Sequence, residues 1–240
     1  MSIVSIGQGD YNEIFRPTGN ESLIDPIGFT FAIWGPIFLL LLVFLIYQVR
    51  DLLRKSEKEN DMSYIDQVSI FFVLSTIMTS YWYLFWVLRI IWLATIFMVL
   101  YLVSLLFGYI RLKINLTERT NIEKIAIMAP WSMYTAWVTS ATIVSITTFL
   151  VSIGFNSPPL ISDTYWAIIV LLIALVIFIM VLWTRNDYIY AGVGIWTLIG
   201  IMMQRLTAAI IIWEIILTAI IGICVLSVAI ILKYVIRRKK

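Results

Sequence analysis

The sequence predicts an all-α protein, a polytopic transmembrane helix bundle of about seven spans with its N-terminus outside and its C-terminus inside. Three observations predict it. The 240 residues are 62% hydrophobic and only 13% charged, whereas a soluble domain is about half apolar and a quarter charged. Seven stretches approach or exceed the roughly 20 mainly apolar residues that a spanning helix needs. The 17 Lys and Arg fall almost entirely on alternate connections. Folded in water, such a chain would expose far too much Leu, Ile and Trp. A soluble enzyme, a secreted disulfide scaffold and a disordered chain are therefore excluded.

The spans run Ile27–Val49, Val68–Leu88, Ile90–Leu112, Ile125–Ile153, Tyr165–Trp183, Tyr188–Met203 and Leu206–Leu232. Only Arg89 separates the second from the third, and only Gln204-Arg205 the sixth from the seventh. Both pairs read as tight helical hairpins. Residues 1–26 form an extramembrane tail with Asp10, Glu13, Glu21 and Asp25 and no signal-peptide core. Residues 27–232 form the bundle, and 233–240 a basic cytoplasmic tail.

With the N-terminus outside, the inner side holds Arg50, Arg54, Lys55, Lys58, Arg111, Lys113, Arg119, Lys124, Arg185, Lys233 and the terminal Arg237, Arg238, Lys239 and Lys240. The outer side holds Arg16, Arg89 and Arg205. Fourteen against three is a strong positive-inside bias. The net charge of +3 follows this topology, so nucleic acid is not an expected partner.

The chain has no histidine. Imidazole-ligated metals and haem and Ser-His-Asp triads are thus excluded. The single Cys224 can form neither an intrachain disulfide nor a thiolate cluster. No metal site, no catalytic residue and no required cofactor is expected. An intramembrane aspartyl protease needs two buried aspartates, and none is expected at depth. A retinal-type lysine is absent from mid-span.

Ionisable residues in the bilayer are the default functional candidates. Glu214 is placed about nine residues into the seventh span, roughly 13 Å deep at 1.5 Å per residue. It is read either as a ligand or proton contact or as a structural acid. Among ten tryptophans, Trp92, Trp131, Trp166 and Trp183 near span ends fit an aromatic belt. Trp82 and Trp86, in the run Tyr81-Trp-Tyr-Leu-Phe-Trp86, fit belt or pocket. Trp34, Trp137, Trp196 and Trp213 lie deeper, where an indole N–H must find a partner. They line a cavity or pack as core.

The fourth span carries Pro130, Tyr134, Trp137, Ala141, Ser145 and Thr148 at helical spacing, with Ser132, Thr135, Thr139 and Thr142 alongside. Small and hydroxylated residues let helices approach and bond across, so this span is expected to be central. Gly35-Pro36 is expected to bend or break the first span.

These residues resemble a family. Pro26-Ile-Gly-Phe-Thr-Phe-Ala-Ile-Trp34-Gly-Pro-Ile-Phe38 is similar to the lead-in of TspO/MBR-type proteins, the tryptophan-rich sensory or translocator proteins. Ala129-Pro-Trp-Ser-Met-Tyr-Thr-Ala-Trp137-Val-Thr-Ser-Ala-Thr142 is similar to the family's Pro-x-x-x-Tyr-x-x-Trp helix, and Ser75 to Trp86 resembles the aromatic helix between them. Phe29 stands where the family has Trp. The resemblance implies a longer, seven-helix variant, with a TspO-like part at about 24–153 and extra helices at about 165–232.

It further implies a pocket for a flat hydrophobic ligand, such as a porphyrin, a haem-like tetrapyrrole or a sterol, serving sensing or transport. Its implied lining is Phe31, Trp34, Tyr134, Trp137 and Ala141. Trp82, Trp213 and Glu214 join the candidate set from their own positions. The implied partners are the lipid bilayer and a hydrophobic small molecule, with a homodimer on the pattern of short relatives. In a prokaryote the implied location is the plasma (cytoplasmic) membrane. The alternative function is a small proton- or cation-coupled transporter using Glu214.

Overall fold

A computed structural model describes residues 21–53 and 63–238. Most of the 1–26 tail, much of the connector after the first span, Lys239 and Lys240 lie outside the described residues. Within them the chain is helical, and seven helices are long and apolar enough to cross a membrane. A 3₁₀ turn, Gly28–Ile33, leads into α1 (Trp34–Leu53). Then follow α2 (Ser63–Val87), α3 (Ile91–Arg111), α4 (Ala129–Ser152), α5 (Asp163–Arg185), α6 (Tyr188–Leu206) and α7 (Trp213–Arg238).

The helix ends follow local chemistry. Gly35-Pro36 does not break the first span: Pro36 sits in the first turn of α1, where the missing N–H costs nothing. Arg89 takes a left-handed φ of 60° between α2 and α3, and Ile90 N–H bonds back to Phe85 O at 2.9 Å, so the expected hairpin is a helix stop plus a restart. A capping box of Thr120 and Glu123 opens a short helical turn. A π-helical stretch, Lys124–Met128, then widens the chain just ahead of Pro130, which cannot donate. Asn186, left-handed at φ 54°, ends α5, and the Asp187 carboxylate caps α6 through Tyr190 N–H at 3.0 Å.

The last span departs from expectation. Residues 207–212 are not α-helical, and α7 begins at Trp213 rather than near Leu206. The apolar run Ala208 to Ile212 looks like span by composition, yet it serves as the turn.

α4 is central, packing against α1, α3, α5 and α6. Two glycines set the closest approaches. A Cβ on Gly108 of α3 would lie 2.2 Å from the Trp131 ring, and one on Gly200 of α6 would lie 2.1 Å from Thr30 Oγ1. At Gly200 the lead-in crosses α6, where Ile27 N–H bonds Gly200 O at 3.1 Å and Trp196 Nε1 donates to Thr30 O at 2.8 Å. Several hydroxyls donate to their own helix backbone rather than across to a neighbouring helix. Thr76, Ser80, Thr142 and Thr148 each bond the carbonyl four residues back, which satisfies a polar group where no water is available.

Arg111, Lys113, Arg119, Lys124, Arg185, Lys233, Arg237 and Arg238 stand at or beyond one set of helix ends, and Arg89 and Arg205 at the other. We call these the basic end and the opposite end.

Candidate functional site

The middle of α4 carries Trp137 and Ala141 one turn apart, and rings from three other elements converge on them. Phe31 comes from the 3₁₀ lead-in, and its ring stands at 90° to Trp137 with 5.6 Å between centroids. Trp34, the first residue of α1, is 6.3 Å from Trp137 and 6.1 Å from Tyr134, edge to face in both cases. Trp82 and Trp86 of α2 lie one turn apart with 6.0 Å between rings. Edge-to-face pairs of this kind are preferred by the ring quadrupoles.

These rings enclose a cleft of about 580 Å³ counted to its open mouth. Its wall is Phe31, Trp34, Trp82, Trp86, Tyr101 and Trp137, completed by Pro26, Met98, Val138, Ser140, Ala141, Val144, Ser145 and Thr197. Five expected residues line it: Phe31, Trp34, Trp82, Trp137 and Ala141. Tyr134 stands behind the wall, hydrogen-bonded to the Tyr101 hydroxyl and in contact with Trp34. The Thr197 hydroxyl bonds Ser140 Oγ at 2.9 Å, so α6 closes one side. Trp82 Nε1 is buried without a hydrogen-bond partner among the described residues.

Trp213 and Glu214 are corrected. Because α7 starts at Trp213, Glu214 sits in its first turn instead of nine residues deep. Trp213 is 59% exposed, Glu214 is exposed, and neither lines the cleft. Trp131 is also reassigned: it is 1% exposed, locked against Gly108, Phe44 and Phe72, and is core rather than belt. The sequence reading missed Tyr101, Met98 and Thr197. Met98 and Tyr101 do share a helical face at i, i+3, but only packing tells which face of an all-apolar helix is inside.

The expectation that no aspartate is buried also fails. Asp187 is 0% and Asp25 4% exposed. Asp187 falls between the fifth and sixth expected spans. Its carboxylate accepts from Ser132 Oγ of α4 at 2.5 Å, Tyr109 OH of α3 at 2.7 Å and its own helix's Tyr190 N–H at 3.0 Å. Tyr190 OH lies 2.6 Å from Thr139 Oγ1, and the Arg185 guanidinium lies 5.8 Å from the Tyr109 ring centroid. The two aspartates stand at opposite ends and cannot act as a dyad. No group of metal-ligating side chains occurs among the described residues.

Compared with known proteins, the chain matches the model of one family, described as TSPO-like protein, over residues 2–232. Neither the curated proteins nor the solved structures contain a match.

Proposed function

The chain belongs to the TSPO-like family, and from that premise we propose that it is a membrane protein that binds a flat hydrophobic ligand in the aromatic cleft. The ligand class is a porphyrin, another tetrapyrrole or a sterol, and the role is sensing or transport rather than catalysis. On this reading the basic end faces the cytoplasm.

One observation carries the proposal: rings from four separate segments meet around open space instead of filling it. Phe31, Trp34, Trp82 and Trp137 offer faces and edges to a planar guest, and Ser140, Ser145 and Thr197 offer neutral polar groups to orient it. With no histidine in the chain, a tetrapyrrole would be held by stacking rather than by imidazole ligation. The enclosed room is about 40 Å³, far below the roughly 300–1,000 Å³ of an occupied ligand site. Binding therefore requires rings at the mouth to swing aside. Trp34 and Trp82, both half-buried, are the ones free to do so.

Titrating protoporphyrin IX into the protein in lipid vesicles, with tryptophan emission as readout, tests the proposal. Saturable quenching is expected, weakened about tenfold or more in the Trp34→Phe/Trp137→Phe double variant as stacking is lost. Absence of saturable quenching, or an unchanged double variant, overturns it.

A further inference from the structure

α1 and α2 are neighbours in the chain but scarcely pack on each other. Among the described residues α2 lies along α3, and α1 lies on α4. One ring pair joins them, Phe44 and Phe72 at 5.8 Å, and this pair abuts Trp131 well below the cleft. The rest of the boundary between the two helices lies toward the opposite end. That is where the cleft's half-buried rings stand, Trp34 on one side and Trp82 on the other. Phe38, one turn along α1, stacks on Trp34 with 5.3 Å between centroids and is 61% exposed. Between two spanning helices, an outward opening meets acyl chains rather than water.

The lining adds a second constraint. Among the described residues no carboxylate, lysine or arginine lines the cleft. Its polar groups there are the Ser140, Ser145, Thr197 and Tyr101 hydroxyls and the indole N–H groups of its four tryptophans. A charge carried inside would lose its hydration and meet no counter-charge from the lining, which disfavours charged guests.

We propose that the gap between α1 and α2 is a side portal, with Phe38 as its lip, through which a neutral planar guest dissolved in the bilayer enters the aromatic cleft. The proposal rests on the reading above and adds the route and the charge of the guest. Phe38 and Trp34 turn together because they are stacked, so the lip and the cleft open in one movement. The guest meets only rings and aliphatic groups on the way in, and neutral hydroxyls once inside.

Two measurements on the full chain in vesicles test this. In bilayers of phosphatidylcholine with brominated acyl chains, bromine quenching of tryptophan emission should fall in Trp34→Phe and in Trp82→Phe but not in Trp131→Phe. In ordinary vesicles, Phe38→Ala should raise the association and dissociation rates of protoporphyrin IX dimethyl ester by a common factor of about three or more, and Phe38→Trp should lower both, as a gate requires. The neutral ester should bind more tightly than the dicarboxylic parent. Bromine quenching that is equal in all three Trp variants, or Phe38 variants with unaltered rates, overturns the portal. Preference for the dicarboxylate overturns the neutral guest. If neither porphyrin quenches at all, the binding reading itself fails, and the bromine result alone decides whether the gap is open to lipid.

Discussion

Two faces of α4 use the same kinds of residue in opposite ways. On one face, Ser132 and Thr139 join Tyr109, Tyr190 and Asp187 in a knot where each oxygen of the carboxylate has a donor. On the other, Trp137 and Ala141 face Phe31, Trp34 and Trp82 across open space. The first arrangement ties α3, α4 and α6 together. The second leaves rings half-exposed around a cleft. Residue type alone therefore does not tell the two faces apart; the open space between the rings does.

That contrast can be broken deliberately. The largest effect is expected in the knot. Asp187→Ala removes a helix cap and orphans buried hydroxyls, at about 1–3 kcal/mol for each unsatisfied group and about 1 kcal/mol for the cap. Thermal unfolding in detergent should show the loss, while porphyrin quenching of the surviving folded protein stays intact. If Asp187→Ala left the unfolding temperature unmoved, the knot would not be what joins these helices.

Gly108→Ala comes next. Its new methyl would meet Trp131, and overpacking of this sort costs about 1–3 kcal/mol. The same unfolding assay reads it, with Gly192→Ala as the control because nothing lies within 4 Å of a Cβ there.

On the open side the expected pattern reverses. Ala141→Leu grows into existing space, so stability should shift by no more than about 1 kcal/mol, while porphyrin affinity falls severalfold by titration. A large loss of stability without loss of affinity would show that the cleft is packed rather than open. The smallest effect is expected at the exposed first turn of α7. Glu214→Gln should change stability by about 0.5 kcal/mol or less and leave quenching unaltered. A substantial binding defect there would bring Glu214 back into the site.

Much of the fold was legible because bilayer physics leaves few solutions. A chain this apolar must satisfy its backbone within helices, and the alternation of Lys and Arg fixes where the turns fall. Arg89 and Asn186-Asp187 were recognisable breaks, and both are turns in the structure. The seventh span was misjudged because Ala208 to Ile212 are as apolar as any span, and hydropathy does not say whether such residues are helical. Placing Glu214 deep followed from that single error.

The site was partly legible for a different reason. Phe31, Trp34, Trp137 and Ala141 lie in the two segments whose spacing is distinctive, so they could be named without knowing their neighbours. Tyr101, Met98 and Thr197 lie outside those two segments, and packing between helices places them in the wall. Asp187 was hidden because a charged residue in a two-residue connection reads as solvated until the ends of α3 and α4 are seen to close over it.

The sequence by itself determined the number of spans, their alternation and the family, because each depends on composition and spacing along one helix at a time. Only the tertiary structure decided which rings meet across open space, which carboxylate is enclosed, and that α1 and α2 stand apart. Those are relations between helices, set by where small residues such as Gly108 and Gly200 permit close contact and where bulkier side chains hold neighbours away.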